Sequence, residues 1–502
     1  MSEELMLSLS ERSALRASWS SATMVEVLKH WAGKNGDKEV FCFHESAPSL
    51  ETGSHGNDTQ TRTYAELDKT ASLIARGLQR MRLSKQARIL LVFPAGLEFI
   101  DALMGCLYAA TIAVPTPPPS AKKRRASASR FSAVVSNCQP AAILTTSAYY
   151  GVVKKMVEEL CDGLRCEPPM VMTLEAIKDH NEGLVSEVTA ASTDLCLIQY
   201  TSGSTGAPKG VMLSHQNVLA NLKSIGEKFK TTEQCRGFFW LPPHHDMGLI
   251  GAILETIYMG GFTGLMDPSL FISNPLNWLE GISLHRATIS GAPNFAYDLC
   301  SGKATKKTIE HLNLLDWRVV FSGAEPVQAT TIETFSETFS RCGFDRENWM
   351  PCYGLAESTL MVTCTESGAA SISQHFSRQG IEDGRLQLAK HKDPTSINLV
   401  SSGTIIADHT LRIIDPHSGA ECEDGAIGEI QIAGPSVSEG YWEQNKSSEV
   451  GQAGERSAGE FLDHSDSKLL STGDLGALVG SHLYLTGRLA DLIIIRGRNL
   501  FP

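Results

Sequence analysis

The sequence has no surplus of positive charge, no paired cysteines and no long uninterrupted apolar run. Its 502 residues carry 44 Lys and Arg against 56 Asp and Glu, which gives a formal net charge of -12. This balance argues against non-specific binding to nucleic acid, because such binding needs a basic surface. A chain of this length can form one very large α/β unit or several domains.

The twelve cysteines are scattered and never form a Cys-x-x-Cys pair. Cys161 and Cys166 are too isolated to indicate a metal site, and this usage is typical of a reduced, cytoplasmic protein. The acidic N-terminus lacks the apolar stretch of a secretory signal. The most membrane-like window, Met247–Met266, contains Glu255 and several glycines. It favours a buried helix followed by a strand, so we expect no transmembrane segment.

Apolar runs alternate with stretches of helical spacing. Thr63 and Glu66 have the spacing of a capping box, which starts a helix. The apolar face of that helix consists of Leu67, Ala71, Ile74 and Leu78. Arg88–Phe93 and Ala141–Thr146 are typical of buried strands. The alternation predicts parallel sheets flanked by helices, and from about Leu399 short runs between turns predict a small β-rich subdomain.

The stretch Tyr200–Gly210, YTSGSTGAPKG, joins the apolar run Leu195–Tyr200 to a helix-like segment from about His215 to Phe229. Its glycines let backbone N–H groups approach an anion, its hydroxyls add donors, and Lys209 adds a positive charge suited to phosphate. The spacing is not that of a Walker-type loop. On composition alone, a plain solvated loop is an equally good interpretation.

Four further fragments carry polar groups beside turns: Leu241–Gly251, Tyr353–Thr359, Ser471–Gly476 and Gly487–Asp491. The pair His245 and Asp246 could position a carboxylate for attack on phosphorus, although a core histidine is an alternative. Glu357 is a hard oxygen ligand of the kind that Mg²⁺ takes beside phosphates. Each fragment alone could be an ordinary turn, but their joint occurrence in this order favours a nucleotide site.

The loop YTSGSTGAPKG resembles the phosphate loop of the adenylate-forming enzymes. Together with LPPHHDMGLIG, SGAPNFAYDLC, SGAEP, YGLAESTL and IIIRGRN, it resembles the fatty acyl-AMP ligases over about Thr63 to Pro502. The resemblance implies a large adenylate-forming N-terminal domain of α/β class over residues 1–490. It places a β-rich subdomain at about 399–490, an insertion at about 364–398, and the hinge to a small C-terminal domain at 491–502. We expect that small domain, and the catalytic lysine it supplies in the family, to be absent from this chain.

The resemblance also implies a role for individual residues. The phosphate loop would consist of Thr201, Ser202, Gly203, Ser204, Thr205, Gly206 and Lys209. Adenine would be held by Ala324, Glu325, Pro326, Tyr353 and Gly354, and ribose by Asp474 and Arg488. Glu357 would bind Mg²⁺, Ser358 would lie next to the α-phosphate, and His245 and Asp246 would flank the acyl carboxylate, so that the catalytic set is His245, Asp246, Lys209 and Glu357. The acyl tunnel would pass near Met247, Asn294, Phe295 and Tyr297.

The implied reaction joins a medium- or long-chain fatty acid to the AMP part of ATP, with Mg²⁺ as cofactor. The acyl group would then pass to the phosphopantetheine of an acyl carrier protein. A fatty acyl-CoA ligase shares the first half of this reaction and is the closest alternative, and a non-catalytic nucleotide-binding module is another. The segment between Thr363 and Leu399 resembles the insertion that marks acyl-AMP ligases, and we expect its apolar residues to pack on the body of the protein. These residues are Ile372, Phe376, Ile381, Leu386 and Leu388.

Overall fold

The computed structural model describes residues 14–15, 18–50, 59–119, 124–165, 167–179, 188–201, 208–390, 393–442, 460–464, 467–491, 493–495 and 498–500. Its α-helices are Met24–Asn35, Tyr64–Arg80, Leu97–Tyr108, Arg124–Cys138, Ser147–Leu164, Leu174–Asp179, His215–Phe229, Glu255–Met259, Pro268–Ser273, Leu276–His285, Asn294–Lys303, Lys306–His311, Ala329–Phe339 and Arg378–Glu382. A π-helix spans Met247–Leu254. Short 3₁₀ turns span Trp19–Ser21, Ser340–Cys342, Arg346–Asn348, Ala356–Ser358 and Leu489–Asp491.

The strands are numbered in chain order. They are β1 Glu39–His44, β2 Thr59–Thr63, β3 Arg88–Val92, β4 Ile112–Thr116, β5 Ala142–Thr145, β6 Met170–Thr173, β7 Leu195–Thr201, β8 Lys209–Ser214, β9 Arg236–Phe239, β10 Phe262–Met266, β11 Ile289–Ala292, β12 Val319–Ser322, β13 Trp349–Gly354, β14 Met361–Cys364, β15 Ser373–Phe376, β16 Ile397–Val400, β17 Thr404–Ile405, β18 Thr410–Ile414, β19 Gly428–Ala433, β20 Glu460–His464, β21 Ser467–Val479, β22 His482–Arg488, β23 Ile493–Ile495 and β24 Arg498–Leu500.

Two large sheets carry the fold. A nine-stranded sheet has the order β17-β14-β13-β12-β11-β9-β10-β1-β2, and a six-stranded sheet has the order β6-β5-β3-β4-β7-β8. Neighbours from β1 through β10, β9, β11 and β12 to β13 are parallel, as are those from β6 to β7 in the second sheet. The predicted α/β class with parallel-rich sheets is therefore confirmed, because helices connect the parallel strands as such pairing requires.

The predicted β-rich part is a separate antiparallel sheet in the order β18-β19-β21-β20, with β22 paired to β21. Its apolar face includes Ile413, Ile430, Leu470 and Leu483, which share a buried cluster with Tyr353 of the nine-stranded sheet. Tyr353 in β13 and Val362 in β14 therefore join the nine-stranded sheet to this small sheet.

The capping box at Thr63 is present. The Thr63 hydroxyl accepts from the Glu66 N–H at 3.2 Å, and the Thr63 N–H donates to the Glu66 carboxylate at 2.8 Å. The helix that starts there crosses Leu97–Tyr108 at very close range, because a Cβ at Gly105 would lie 2.3 Å from Ile74. Only glycine permits this approach, and the buried face of the first helix is the one predicted from its spacing.

The window Met247–Met266 forms the π-helix, the helix Glu255–Met259 and strand β10, so the prediction of a buried helix and strand is confirmed. Glu255 is buried, and its carboxylate accepts from the Thr231 hydroxyl at 3.1 Å. Within the described ranges, no helix combines the length and the apolar character that a membrane crossing requires.

The described residues between Thr363 and Leu399 form an ordered excursion from the nine-stranded sheet. Strands β15 and β16 pair antiparallel on either side of the helix Arg378–Glu382. Its side chains Phe376, Ile381 and Leu386 are buried in one cluster with Ala477 and Tyr484 of the β-rich sheet. Leu388, which was also expected to be buried, is 64% exposed.

His215 makes the folded state sensitive to acid. Its side chain is 1% exposed, and Nδ1 accepts a hydrogen bond from the Met24 N–H at 3.3 Å. Burial lowers the pKa of His215 from 6.5 to about 4, although the charge of Asp194 offsets part of this shift. As the pH falls below 6.5, His215 binds a proton in the unfolded chain but stays neutral in the folded chain. The free energy of unfolding therefore decreases towards pH 4.

We expect the free energy of unfolding to fall between pH 7 and pH 4, with His215 contributing up to about 3 kcal/mol. His215→Asn keeps an acceptor near the Met24 N–H but cannot bind the proton, so the slope should be shallower. Urea titrations at several pH values measure it, and His417→Asn is the matched control because His417 is exposed. Equal slopes in all three proteins would contradict this account.

Candidate active site

A cleft of about 1640 Å³, counting the space open to solvent, lies where strands β12 and β13 end beside β21 and β22. The residues expected to hold adenine and ribose all line it: Ala324, Glu325, Pro326, Tyr353, Gly354, Asp474 and Arg488. Carboxyl ends of parallel strands commonly form such ligand clefts. Ile381 and Asn398, from the excursion between Thr363 and Leu399, also line it.

The turn after β12 brings the backbone close to β13. A Cβ at Gly323 would lie 2.8 Å from the Cys352 sulfur, so glycine is required there. Ala324 follows with a φ of 66°, a left-handed conformation that non-glycine residues seldom adopt. The Glu325 carboxylate accepts from the Phe295 N–H at 2.7 Å and thereby ties the turn to the start of helix Asn294–Lys303. The turn is therefore rigid and strained at the edge of the cleft.

Asp474 is held by two side chains. The Tyr353 hydroxyl donates to Asp474 Oδ2 at 2.8 Å, and Arg488 Nε donates to Oδ1 at 3.1 Å. Burial raises the pKa of Asp474, while the Tyr353 bond and the Arg488 charge oppose that change. Each carboxylate oxygen retains acceptor capacity, which suits the two hydroxyls of a ribose.

Glu357 lies in the turn after β13, close to two other acids. Burial is the main cause that raises the pKa of Glu357, and the charges of Asp246 and Asp474 raise it further. The Tyr441 hydroxyl donates to Glu357 Oε1 at 2.7 Å and partly offsets these effects. Neighbouring carboxylates that repel one another fit a divalent cation, and Mg²⁺ takes such oxygen ligands.

Tyr441 also contacts Lys209. The Lys209 ammonium lies 4.9 Å from the centre of the Tyr441 ring, within the range of a cation–π interaction. Lys209 begins β8 and pairs with Thr201 at the end of β7. The remaining predicted loop residues lie outside the described residues: Ser202, Gly203, Ser204, Thr205 and Gly206.

Sequence reasoning missed Tyr441. It follows Gly440, which has a φ of 127°, and the adjoining backbone is bonded to β8 on both sides. The Met212 N–H donates to the Gly440 carbonyl at 3.0 Å, and the Trp442 N–H donates to the Gly210 carbonyl at 2.7 Å. The signal available in the sequence was an aromatic pair directly after a glycine in a polar turn.

The predicted pair His245 and Asp246 precedes the π-helix. Burial lowers the pKa of His245, and the charge of Arg130 lowers it further, so the imidazole is neutral at pH 7. Burial likewise lowers the pKa of His244 to about 3. Burial raises the pKa of Asp246, whose Oδ1 accepts from the Met247 N–H at 2.7 Å. Arg130, which the sequence patterns did not single out, thus places a positive charge near this pair.

An apolar pocket of about 490 Å³, counting open space, adjoins the cleft and shares Ala324, Cys352, Tyr353 and Gly354 with it. Its other lining residues are Ile225, Phe229, Asp246, Met247, Gly251, Phe321, Leu360 and Met361. The pocket therefore lies between Asp246 and helix His215–Phe229, and its wall is apolar enough for an alkyl chain.

Of the four predicted acyl contacts, the structure places Met247 in the wall of this pocket. Asn294 instead bonds the Thr331 hydroxyl at 2.9 Å, and Tyr297 is fully buried with its hydroxyl on the Phe321 carbonyl at 2.7 Å. Phe295 is 45% exposed on the same helix. A direct contact of Asn294, Phe295 or Tyr297 with an acyl chain stays a prediction.

Comparison with known proteins gives a consistent family. A family model described as AMP-binding enzyme matches residues 28–442. The medium-chain-fatty-acid acyl-carrier-protein ligase JamA of Moorena producens is 33% identical over 96% of this chain and 79% of its own length. The long-chain-fatty-acid–AMP ligase FadD32 of Mycolicibacterium smegmatis is 32% identical over 96% of this chain and 76% of its own.

A solved structure is similar over most of its length. The fatty acyl-adenylate ligase from L. pneumophila, in complex with acyl adenylate and pyrophosphate, has a TM-score of 0.80 and 36% sequence identity. The match covers 93% of this chain and 77% of that one. At this identity, shared fold and shared family are both expected.

We predict that Tyr441→Phe weakens binding of magnesium ATP about tenfold or more, because a hydrogen bond to a charged group is worth about 1.5–3 kcal/mol. The phenylalanine ring preserves the contact with Lys209, so Tyr441→Leu should weaken binding further. Calorimetric titration measures both. Tyr108→Phe is the matched control, since it removes a hydroxyl that donates to Asp68 in another part of the fold. Wild-type affinity in Tyr441→Phe would rule out the role assigned to this hydroxyl.

Proposed function

The chain belongs to the AMP-binding enzyme family, among its fatty acyl-AMP ligases, and on that premise we propose that it activates a medium- or long-chain fatty acid with ATP. The observation that carries this proposal is that the apolar pocket and the cleft share lining residues. The apolar pocket and the proposed nucleotide cleft meet at Ala324, Cys352, Tyr353 and Gly354. A fatty acid in the pocket would place its carboxylate at Asp246, beside a nucleotide in the cleft.

In the proposed reaction, a carboxylate oxygen of the fatty acid attacks the α-phosphorus of ATP. The bond from that phosphorus to the bridging oxygen breaks, and pyrophosphate leaves with the electron pair. Fatty carboxylates are already ionised at neutral pH, so the enzyme needs no general base. Positioning and charge stabilisation are the contributions left to the protein.

The residues share these contributions. Tyr353 and the turn at Ala324 would hold the adenine, and Asp474 would accept from the ribose hydroxyls. Lys209 would stabilise negative charge on the phosphates, with Arg130 near the carboxylate. Mg²⁺ bound at Glu357 would neutralise part of the triphosphate charge, and the repulsion among Glu357, Asp246 and Asp474 supports that assignment.

For the second step, we propose transfer to the phosphopantetheine thiol of an acyl carrier protein. The thiol sulfur forms a bond to the acyl carbon, and the bond from that carbon to the phosphate oxygen breaks. AMP leaves with the electron pair, and the thiol proton is released to solvent. The name of JamA, an acyl-carrier-protein ligase, supports this acceptor. The excursion that contains Phe376, Ile381 and Leu386 supports it as well, since it is anchored beside the nucleotide cleft where it could restrict other acceptors. We also propose a cytoplasmic location, because each described cysteine is a free thiol.

We expect Glu357→Gln to reduce the exchange of pyrophosphate into ATP, driven by a fatty acid, by at least about 10²-fold. The substitution preserves shape and removes one of three repelling charges, so thermal stability should not fall. Glu366→Gln, at an acid with 66% side-chain exposure, is the control. Substantial exchange that still responds to Mg²⁺ in Glu357→Gln would show that another group binds the metal.

A second expectation concerns the acceptor. At equal concentrations, a carrier protein bearing phosphopantetheine should be acylated at least about tenfold faster than free CoA, a bias of about 1.4 kcal/mol. The carrier without its phosphopantetheine arm is the control. Efficient acyl-CoA formation would make the protein an ordinary fatty acyl-CoA ligase. Binding of ATP without exchange or product would instead indicate a non-catalytic module.

A further inference from the structure

We propose that His409 is a positioning residue of the site: by fixing Ser436, it holds the turn that carries Glu357 and Ser358. This inference rests on the proposed function, because it assigns the turn a role in binding magnesium ATP. His409 lies in the loop before β18 and belongs to none of the sequence motifs. Its imidazole bonds Ser436, and Ser436 in turn contacts the turn.

The turn needs an external support because its backbone is strained. Thr359 has a φ of 67° and a ψ of −59°, an outlier for a β-branched residue. Such a conformation costs about 1–3 kcal/mol and persists only where neighbouring structure imposes it. The strained residue is two positions after Glu357, so relaxation here would move the carboxylate.

The support is the segment Pro435–Ser438. The Thr359 hydroxyl donates to the Ser436 carbonyl at 2.7 Å, and the Ser438 N–H donates to the Glu357 carbonyl at 2.8 Å. The Ser358 and Ser436 hydroxyl oxygens lie 3.2 Å apart. Ser358 and Ser436 are both fully buried, so no bulk water competes for these bonds.

His409 fixes the direction of this network. Its Nδ1 lies 2.7 Å from the Ala407 carbonyl oxygen, which can only accept, so Nδ1 carries the proton. Nε2 is then an acceptor, and it takes the Ser436 hydroxyl at 2.6 Å and the Ser436 N–H at 3.2 Å. With its proton committed to His409, the Ser436 oxygen accepts from Ser358. The chain of donors runs from Ser358 through Ser436 and His409 to Ala407.

The packing around His409 permits the hydrogen bonds from Ser436 to Nε2. Gly434 has a φ of 154°, and a Cβ there would lie 2.2 Å from His409 Cδ2, so only glycine lets the imidazole reach Ser436. Burial lowers the pKa of His409, against the opposing effects of the Ala407 bond and the Asp408 charge. The neutral ring, which is the form that can accept at Nε2, is thereby favoured.

The pocket side of the turn has an anchor of its own. Asn221 Nδ2 donates to the Met361 carbonyl at 2.8 Å, and Asn221 Oδ1 accepts from the Met361 N–H at 3.0 Å. Asn221 Nδ2 also donates to the Ser358 carbonyl, at 3.3 Å. Loss of His409 should therefore disturb Glu357 and the Ser358 hydroxyl while Met361, in the apolar pocket, stays in place. A positioning role predicts that magnesium ATP is affected and the fatty acid is not.

Three substitutions at one position separate the bonds. Glutamine can place a carboxamide oxygen near the site of Nε2 and accept from Ser436, whereas asparagine reaches only the position of Nδ1 and can keep the bond to Ala407. We expect His409→Ala and His409→Asn to raise the KM and the calorimetric Kd for magnesium ATP by about 10–100-fold, as is usual when the support of a metal ligand is lost. His409→Gln should retain most of the affinity. The KM for the fatty acid should change little in all three.

A double variant tests the route. If His409 acts through Ser436, the change in Kd of His409→Ala with Ser436→Ala should be smaller than the sum of the two single changes. Thermal unfolding of each variant confirms that folded protein is compared. The proposal fails if His409→Asn binds magnesium ATP like the wild type, if His409→Gln is no better than His409→Ala, or if the two changes simply add. Absence of exchange in the wild type would overturn the proposed function instead, while the Kd series would still decide the role of His409.

Discussion

Repulsion of the half-buried Glu357 by two neighbouring acids, Asp246 and Asp474, is the constraint around which the cleft is arranged. Asp246, Glu357 and Asp474 come from three separate elements, and burial raises the pKa of each. A cluster of this kind opposes folding unless each charge has a partner. The partners differ: a backbone N–H for Asp246, Tyr441 for Glu357, and Tyr353 with Arg488 for Asp474. The negative charge that remains is of the sign that a divalent cation would complement.

Backbone strain is also present beside the cleft. Ala324, after strand β12, and Thr359, after strand β13, have positive φ values of 66° and 67°. Each is held by hydrogen bonds from a different part of the chain, Glu325 to the helix at Phe295 and Thr359 to Ser436. The scaffold therefore preorganises the groups around the proposed nucleotide site, and electrostatic stabilisation of a transition state requires such preorganisation.

Short contiguous motifs in the sequence were sufficient to predict part of the site. Tyr353, at the carboxyl end of β13, and Asp474, in β21 of a different sheet, each belong to a local motif, and both line the cleft. Contacts between distant segments could not be predicted in this way. Tyr441 bonds Glu357 across 84 positions, and neither local spacing nor helical period reports such a pair. The same reason explains why Arg130 and His409 were missed.

The predicted acyl contacts show a second limit of prediction from sequence, which concerns residues that are close together in the chain. Asn294, Phe295 and Tyr297 are adjacent in one motif, yet a helix turns its residues to different sides. Tyr297 faces the aromatic core, Asn294 faces helix Ala329–Phe339, and Phe295 is half exposed. A motif therefore identifies the helix near a pocket without deciding which of its side chains touches a ligand.

The two histidines next to Asp246 add no positive charge to that of Arg130 at pH 7, and this has a chemical consequence. His244 and His245 are neutral at pH 7 because burial lowers their pKa values. A histidinium at this point would bind the fatty carboxylate tightly before reaction, and such binding lowers the ground state as well as the transition state. A raised pKa for Asp246 acts in the same direction, since any shift of this acid towards its neutral form reduces its repulsion of the incoming carboxylate. Lys209 lies against Tyr441, which bonds Glu357, and this is the side proposed for the phosphates, where charge changes during the proposed reaction. In that reaction, burial of the histidines and Asp246 would leave the nucleophile weakly held and reactive, while the stronger electrostatic interactions would act on the phosphorus that it attacks.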